Sequence, residues 1–505
     1  MQRLINISII FVLLITTGLN IALLVQNTQL RGQVANPLVQ EVSALPDQDQ
    51  ADEIAELQQR LERAEEDRIE ASREATSLRT QVERLQPAAD GQTSLQEQVE
   101  ALEAENERLR NEVANLQTMN QINGQVVDVR GLVPTGSVPR EFMNREELQV
   151  YFTEVLDEEF SEEAEQEQRA ILQALDMDSG GSDLRQSQID ELARSVLGFY
   201  DHETKDLVVV TDRATMGATD RMTYAHEFTH SLQDQYYDLG ALFERAQGNS
   251  DYETAIRALV EGDATLTMSL YAETFFSDMD LINYQLEQIE NLDLTGILYG
   301  SGGPYVESAA AFPYNEGSIF VNSIYQAGGW QEVTRAFNNP PRSTEQIIHP
   351  QKYYSGDEPV AVTLPNFAPA LGGSWELVSE NTLGELYTRI YLQRYISFNQ
   401  SALAGEGWGG DRYQVLRDDE GRLGFALATA WDTPNDAQEF FTAASAFVMT
   451  RGGGNPAVMA STPTQMRWQL ADRQYYLSLV GNQVLLLHAP DGATLDGLLG
   501  QFQGF

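Results

Sequence analysis

The chain contains no cysteine. That excludes disulfides, a thiolate metal site and a cysteine nucleophile. Histidine and carboxylates are then left to supply any metal ligands. Histidine is itself scarce, with five residues in 505. Bases are also few: 32 Lys and Arg stand against 76 Asp and Glu, for a formal net charge of −44. So acidic a surface repels phosphate backbones, which excludes nucleic acid as a partner. No phosphate loop is present either. Gly452-Gly453-Gly454 lacks a following Lys-Ser or Lys-Thr, and Gly300-Ser301-Gly302-Gly303-Pro304 reads as a loop joining helices. At this length one hydrophobic core does not suffice, so two or three folded units are expected.

Leu4–Val25 is 22 residues without a charge, enough to span a bilayer. The competing reading is a cleaved signal peptide, but no small-x-small cleavage site closely follows the run. With Arg3 on the short side, the positive-inside rule places the N-terminus in the cytoplasm and the bulk of the chain outside the cell membrane. Residues 1–30 are thus expected to be a single-pass transmembrane anchor and 31–50 a polar linker.

Residues 51–120 carry heptads. Ile54, Leu57, Leu61, Ala64, Arg68, Ala71, Ala75, Leu78, Val82 and Leu85 step by three and four. After Pro87–Gly91 a second seam runs Leu95, Val99, Leu102, Asn106, Leu109, Val113, Leu116. Asn106 falls at an a position, where a buried asparagine favours a parallel dimer. A coiled-coil stalk and a homodimer are expected, the alternative being two single helices folded back. A loop-rich stretch at 119–140, with Gly124, Gly131, Pro134, Gly136 and Pro139, marks the next boundary.

The most informative stretch is Thr223-Tyr224-Ala225-His226-Glu227-Phe228-Thr229-His230-Ser231-Leu232. Two histidines four apart on a helix lie one above the other on one face, so both imidazoles can reach one metal ion. Glu227 lies beside that axis, where it can take a proton from a metal-bound water. The apolar neighbours suggest a helix packed in a core. The alternative is a pair of surface histidines.

A catalytic zinc usually has three protein ligands and one open position. The extension x-x-G-x-x-H fails here, because Gln233 and Tyr236 occupy its positions. Glu261 is the better third ligand. It falls mid-helix after the turn-forming Gly248-Asn249-Ser250-Asp251 and is flanked by small residues. A buried carboxylate there needs a cationic partner. A surface glutamate is the alternative. Glu253 and Glu273 are less enclosed.

His226-Glu227-Phe228-Thr229-His230 followed by Glu261 resembles the gluzincin metallopeptidases, the thermolysin-like zincins whose third ligand is glutamate. Leu207–Thr211 is similar to their substrate-binding edge strand. Gly198-Phe199-Tyr200-Asp201, Ser231–Gln235, Glu261–Thr265 and Ser343–Pro350 also resemble uncharacterised membrane-anchored bacterial members. The resemblance implies one Zn2+ ion held by His226, His230 and Glu261, with Glu227 as general base on a peptide or protein substrate. It also implies an oxyanion donor later in the chain, for which His349 and Tyr314 are available. One departure stands out: Thr265 occupies the place of an aspartate that supports a ligand histidine in many members. Asp263 points elsewhere on the helix, and Asp234, one turn after His230, is the substitute.

After about residue 375 the pattern changes. Helices at Leu383–Phe398 and Asn435–Val448 alternate with strands at Tyr413–Leu416, Leu423–Trp431, Gln465–Leu470, Gln474–Val480 and Gln483–His488. His488 reads as structural, and His202 as capping the Tyr200-Asp201 turn. The expected fold is α+β. A mostly helical zincin-like domain over 121–378, with a small edge-strand sheet, precedes a small α+β domain over 379–505. The expected activity is zinc-dependent peptide hydrolysis outside the membrane. Its rival is a catalytically inactive metal-binding scaffold using the coiled coil and the C-terminal domain.

Overall fold

The computed structural model describes residues 66, 68–77, 80, 89–178, 183–290 and 303–502. The chain is α+β, mainly helical, with a three-stranded and a seven-stranded sheet. The expected anchor at Leu4–Val25, the linker and most of the first heptad seam lie outside the described residues.

Helix α1, Ala89–Arg130, is 42 residues long. Its apolar seam is narrow and its charges cluster over Glu97–Glu112, as in a stretch that packs along one side only. Ala71 and Ala75 in the preceding helical residues are buried, and so are Val99, Leu109 and Val113 of α1. Asn106 donates its amide to the Arg68 carbonyl, so the two segments fold back on each other within one chain. The loop expected from Gly124 does not form. The helix runs through it to Arg130, because Met119, Ile122 and Val126 extend the apolar seam into the core of the helical domain.

No helix among the described residues is long and apolar enough to cross a membrane. The expectation of a single-pass protein of the cell membrane, with its bulk extracytoplasmic, is corrected on that finding. The longest helix among the described residues, α1, carries too many Glu and Arg residues for the hydrocarbon core.

Strand β1, Arg140–Met143, leads into three helices: α2 (Arg145–Glu159), α3 (Glu162–Ala174) and α4 (Leu184–Ser195). Strands β2 (Gly198–Tyr200) and β3 (Leu207–Val210) complete the small sheet, in the order β1-β3-β2. Leu207–Val210 is therefore the central strand, parallel to β1 and antiparallel to β2, and the edge-strand expectation is corrected. All four of its residues are buried, as a continuous aliphatic run covered on both faces requires.

Helix α5, Ala218–Tyr237, and helix α6, Ser250–Phe275, form the middle of the molecule. Asp220 lies in the first turn of α5. Gly217 is the cap residue, and its N–H donates to Asp220 Oδ2 at 2.7 Å. The N-terminus of α6 is capped by Asn249, which accepts from the Tyr252 N–H. Helices α7 (Asp278–Glu290), α8 (Gly303–Gly328) and α9 (Trp330–Asn338) close over this pair.

The second unit begins with β4, Trp375–Asn381, and helix α10, Gly384–Gln393. Strands β5 (Trp408–Asp418), β6 (Leu423–Trp431), β7 (Ala457–Ser461), β8 (Gln465–Gln469), β9 (Gln474–Val480) and β10 (Gln483–Ala489) follow, with helix α11 (Pro434–Arg451) between β6 and β7. The sheet order is β4-β5-β6-β10-β9-β8-β7, and every pairing is antiparallel. Helix α11 covers one face through Phe440, Phe441, Phe447 and Val448. Helix α3 joins the same core through Ala170 and Ala174, and His488 bonds the Ala174 carbonyl at 2.9 Å. Residues far upstream of the boundary at 379 thus complete the C-terminal unit.

Candidate metal centre

Helix α5 is buried along most of its length, from Ala218 to Asp234. Tyr224, Ala225, Phe228 and Leu232 pack against Met119, Ile122 and Val126 of α1. Tyr224 also donates to Asn123 Oδ1 at 2.8 Å. Asn115 holds the loop before α5 from both sides, accepting from Met216 N–H and donating to the Ala214 carbonyl. Rather than standing off as a stalk, α1 builds the floor under the motif helix.

On the opposite face His226 and His230 turn toward α6, where Glu261 is fully buried. His226 Nε2 lies 3.1 Å from His230 Nε2 and 3.1 Å from Glu261 Oε2, and His230 Nε2 lies 3.3 Å from the same oxygen. Ligand bonds of about 2.0 Å in a tetrahedron place donor atoms about 3.3 Å apart. The triangle therefore fits one tetrahedral ion with a fourth position open. Three lone-pair-bearing atoms at this spacing repel unless a proton or cation sits among them. Glu261 Oε1 and His226 Nδ1 are buried without hydrogen-bond partners, a further sign that a charge belongs here. Among the described residues, His226, His230 and Glu261 form the group able to hold a metal.

Charges respond accordingly. Burial disfavours charge on both partners, but their mutual attraction is stronger. It pushes His230 up to about 9 and holds Glu261 below the usual carboxylate range. Glu227 is raised, first by burial and then by Glu261, although both imidazoles pull the other way. A raised carboxylate is a better proton acceptor. Its position depends on β2. A Cβ at Gly198 would come within 2.5 Å of Thr223 Cγ2 and 2.9 Å of the Val208 carbonyl oxygen. Only glycine lets the strand lie against the helix there, and the Tyr200 N–H then donates to the Glu227 carboxylate.

Tyr314 joins the group through a second close approach. A Cβ on Gly262 would sit 2.2 Å from the Gly317 carbonyl oxygen, and one on Gly317 would sit 2.2 Å from that of Ala258. Helices α6 and α8 thus cross backbone to backbone, one turn from Tyr314. The ring stacks on His226 with centroids 6.2 Å apart, and its hydroxyl bonds Glu261. Burial, then the nearby Glu261 and Glu227, raise the phenol well above its ordinary value and keep it a donor.

His349 is not brought to this group. It ends the helix Thr344–Ile348, and its Nε2 meets Glu385 at 3.1 Å. Nor does Asp234 support a ligand. It accepts from Tyr200 at 2.8 Å and from Lys205 at 2.6 Å. The support of His230 comes from Gln233, whose Oε1 lies 2.8 Å from Nδ1, and Gln233 Nε2 in turn donates to Asp263 Oδ2 at 2.9 Å. Asp263 also receives Arg130 Nε at 2.8 Å, with both side chains buried. Sequence spacing does not reveal these residues. Gln233 lies three after His230, within reach on a helix, but Asp263 and Arg130 meet it only through tertiary packing.

Residues 375–499 match a family model described as a domain of unknown function, DUF8575. No curated protein and no solved structure matches the chain. The matched segment is the seven-stranded sheet with its helices. It contains none of His226, Glu227, His230, Glu261 or Tyr314, so the match assigns no chemistry to the metal centre.

Proposed function

We propose that the helical domain is a zinc-dependent, gluzincin-like peptidase. The observation that carries this reading is the 3.1, 3.1 and 3.3 Å triangle of His226, His230 and Glu261 with Glu227 beside it. His226, His230 and Glu261 would hold the ion. Their all-N,O donor set suits zinc, and a purely structural zinc would need a fourth protein ligand. When bound, zinc supplies Lewis acidity toward a water and a peptide carbonyl.

The chain's own residues do the rest. Glu227, raised by burial, accepts a proton from the attacking water and returns it to the departing amine nitrogen. Tyr314, kept protonated and stacked on His226, turns its single O–H from Glu261 to the oxygen that gains negative charge. Each of the four groups other than Tyr314 is at most 6% exposed, so their interactions act in a water-poor site.

The test is zinc content with hydrolysis of a mixed peptide library. Wild-type protein should carry one zinc and cleave peptides. Glu227→Gln should keep the zinc and lose about 10²–10⁴-fold in rate. Equal cleavage by Glu227→Gln, or a wild type that takes up no zinc, would refute the reading.

A further inference from the structure

The buried polar chain beneath His230 starts on a different element from either metal-binding helix. Arg130 is the last residue of α1. Its Nε donates to Asp263 Oδ1, its guanidinium lies 4.4 Å from the centre of the Trp330 ring, and a second nitrogen reaches Tyr237 Oη at 3.4 Å. Trp330 in turn donates to the Val129 carbonyl at 2.6 Å. Arg130 is 1% exposed and Asp263 is fully buried. The end of α1 is therefore clamped from three sides.

The hydrogen-bond directions along this chain are forced. Arg130 can only donate, and the Asp263 carboxylate can only accept. Asp263 Oδ2 and the Val260 carbonyl both face Gln233 Nε2, at 2.9 Å each. That fixes which end of the Gln233 amide is nitrogen, an assignment otherwise ambiguous by two-fold symmetry. Gln233 Oε1 then faces His230 Nδ1 at 2.8 Å and requires a proton on that nitrogen. The remaining nitrogen of His230, Nε2, is the one in the metal triangle, where its lone pair would face an ion. Without Arg130, Asp263 would be a buried carboxylate facing only an amide. Its remaining oxygen would lack a partner, and the amide would be free to turn over.

We propose that Arg130 is a positioning residue for the metal centre, setting the tautomer and ring orientation of His230 through Asp263 and Gln233. This rests on the metal-centre reading above. It also makes the docking of α1 a condition for metal affinity, since Arg130 reaches Asp263 only when the helix end is seated under Trp330.

The experiment is competition for Zn2+ against a chromophoric chelator, using the full chain. Thermal unfolding in excess chelator is followed in parallel. Arg130→Met should weaken zinc binding about 10–100-fold, the range for loss of a group that orients a ligand histidine. Arg130→Lys keeps a cation but not the planar fork, and should fall between the two. Ile122→Val, which thins the same helix interface without touching the chain of hydrogen bonds, should lower metal-free stability and leave zinc affinity within about twofold. The loss in Arg130→Met combined with Gln233→Ala should be close to that of either alone, because they act as one unit. The proposal is overturned if Arg130→Met and Arg130→Lys both bind zinc like the wild type. It is equally overturned if the double variant shows the full sum of the single losses, or if Ile122→Val weakens zinc as much as Arg130→Met does. A wild type that binds no zinc would instead remove the metal-centre reading itself. If Arg130→Met does not fold, the Arg130→Lys affinity and the Asp263→Asn affinity decide, both expected below wild type.

Discussion

His226 Nε2 and Glu261 Oε2 face each other at 3.1 Å across two different helices, 35 residues apart in sequence. That distance is the joint product of a helical repeat on α5 and of the seating of α6. It predicts the consequence of removing the carboxylate. Glu261→Ala should retain little zinc under dialysis that leaves the wild type loaded, since a two-histidine site lacks the third ligand. In the wild type, chelation should lower the midpoint of thermal unfolding, because ligand at 1,000 times its dissociation constant stabilises by about 4 kcal/mol. Glu261→Ala should show no such shift. Equal zinc in both proteins would show that the ion sits elsewhere.

Tyr314 and His349 separate cleanly. Tyr314→Phe should lower kcat by about 10²-fold with zinc content unchanged, as expected for one oxyanion donor. His349→Gln should leave kcat alone, because His349 meets Glu385 rather than the metal ligands. A larger loss from His349→Gln than from Tyr314→Phe would reverse the assignment.

Gly262 tests the helix crossing. Replacing a helical glycine by alanine ordinarily gains up to about 1 kcal/mol. Here the new methyl would fall 2.2 Å from a backbone carbonyl oxygen that cannot rotate away. Overpacking of this kind costs about 1–3 kcal/mol, so the clash outweighs the propensity gain. Denaturant unfolding of Gly262→Ala should show net destabilisation, and Gly317→Ala should show the same. A more stable Gly262→Ala would mean that the helices are not in backbone contact.

Asp251 gives the chain a pH-dependent weakness. It is buried and accepts from both the N–H and the hydroxyl of Thr344. Burial, aided by Asp411 and Glu385 and opposed by the Thr344 bonds, pushes it up to about 7. Its ordinary value is about 4. The folded chain thus keeps a proton there that the unfolded chain has already lost. The resulting stability is complete below pH 4 and declines as pH rises to about 7. One such group changes stability by at most about 1.4 kcal/mol per pH unit. Asp251→Asn cannot titrate, and should lose less stability than wild type between pH 5 and pH 8 in urea unfolding. Parallel pH profiles for the two proteins would exclude Asp251 as the source.

The legible part of the fold was the part with local causes. Strands Leu423–Trp431 and Gln474–Val480 stand where their aliphatic and aromatic runs place them. Strand β7, Ala457–Ser461, was not legible. All five of its residues are exposed, so burial leaves no pattern in its sequence. Helix α1 was legible as a helix but not as part of the core. Heptads report a helix with an apolar seam and do not say what covers it.

By itself the sequence determined the motif pair, the glutamate between them and an α+β chain. Four residues of helix bring His226 and His230 to one face whatever surrounds them. Tertiary structure alone decided the rest. It placed Tyr314 over His226 rather than His349, because Gly262 and Gly317 let two helices touch. It put Leu207–Val210 at the centre of its sheet rather than the edge. It also replaced Asp234 by Gln233, Asp263 and Arg130 as the support of His230. Contacts between residues 130, 233 and 263 depend on how three helices dock, and no local spacing encodes that.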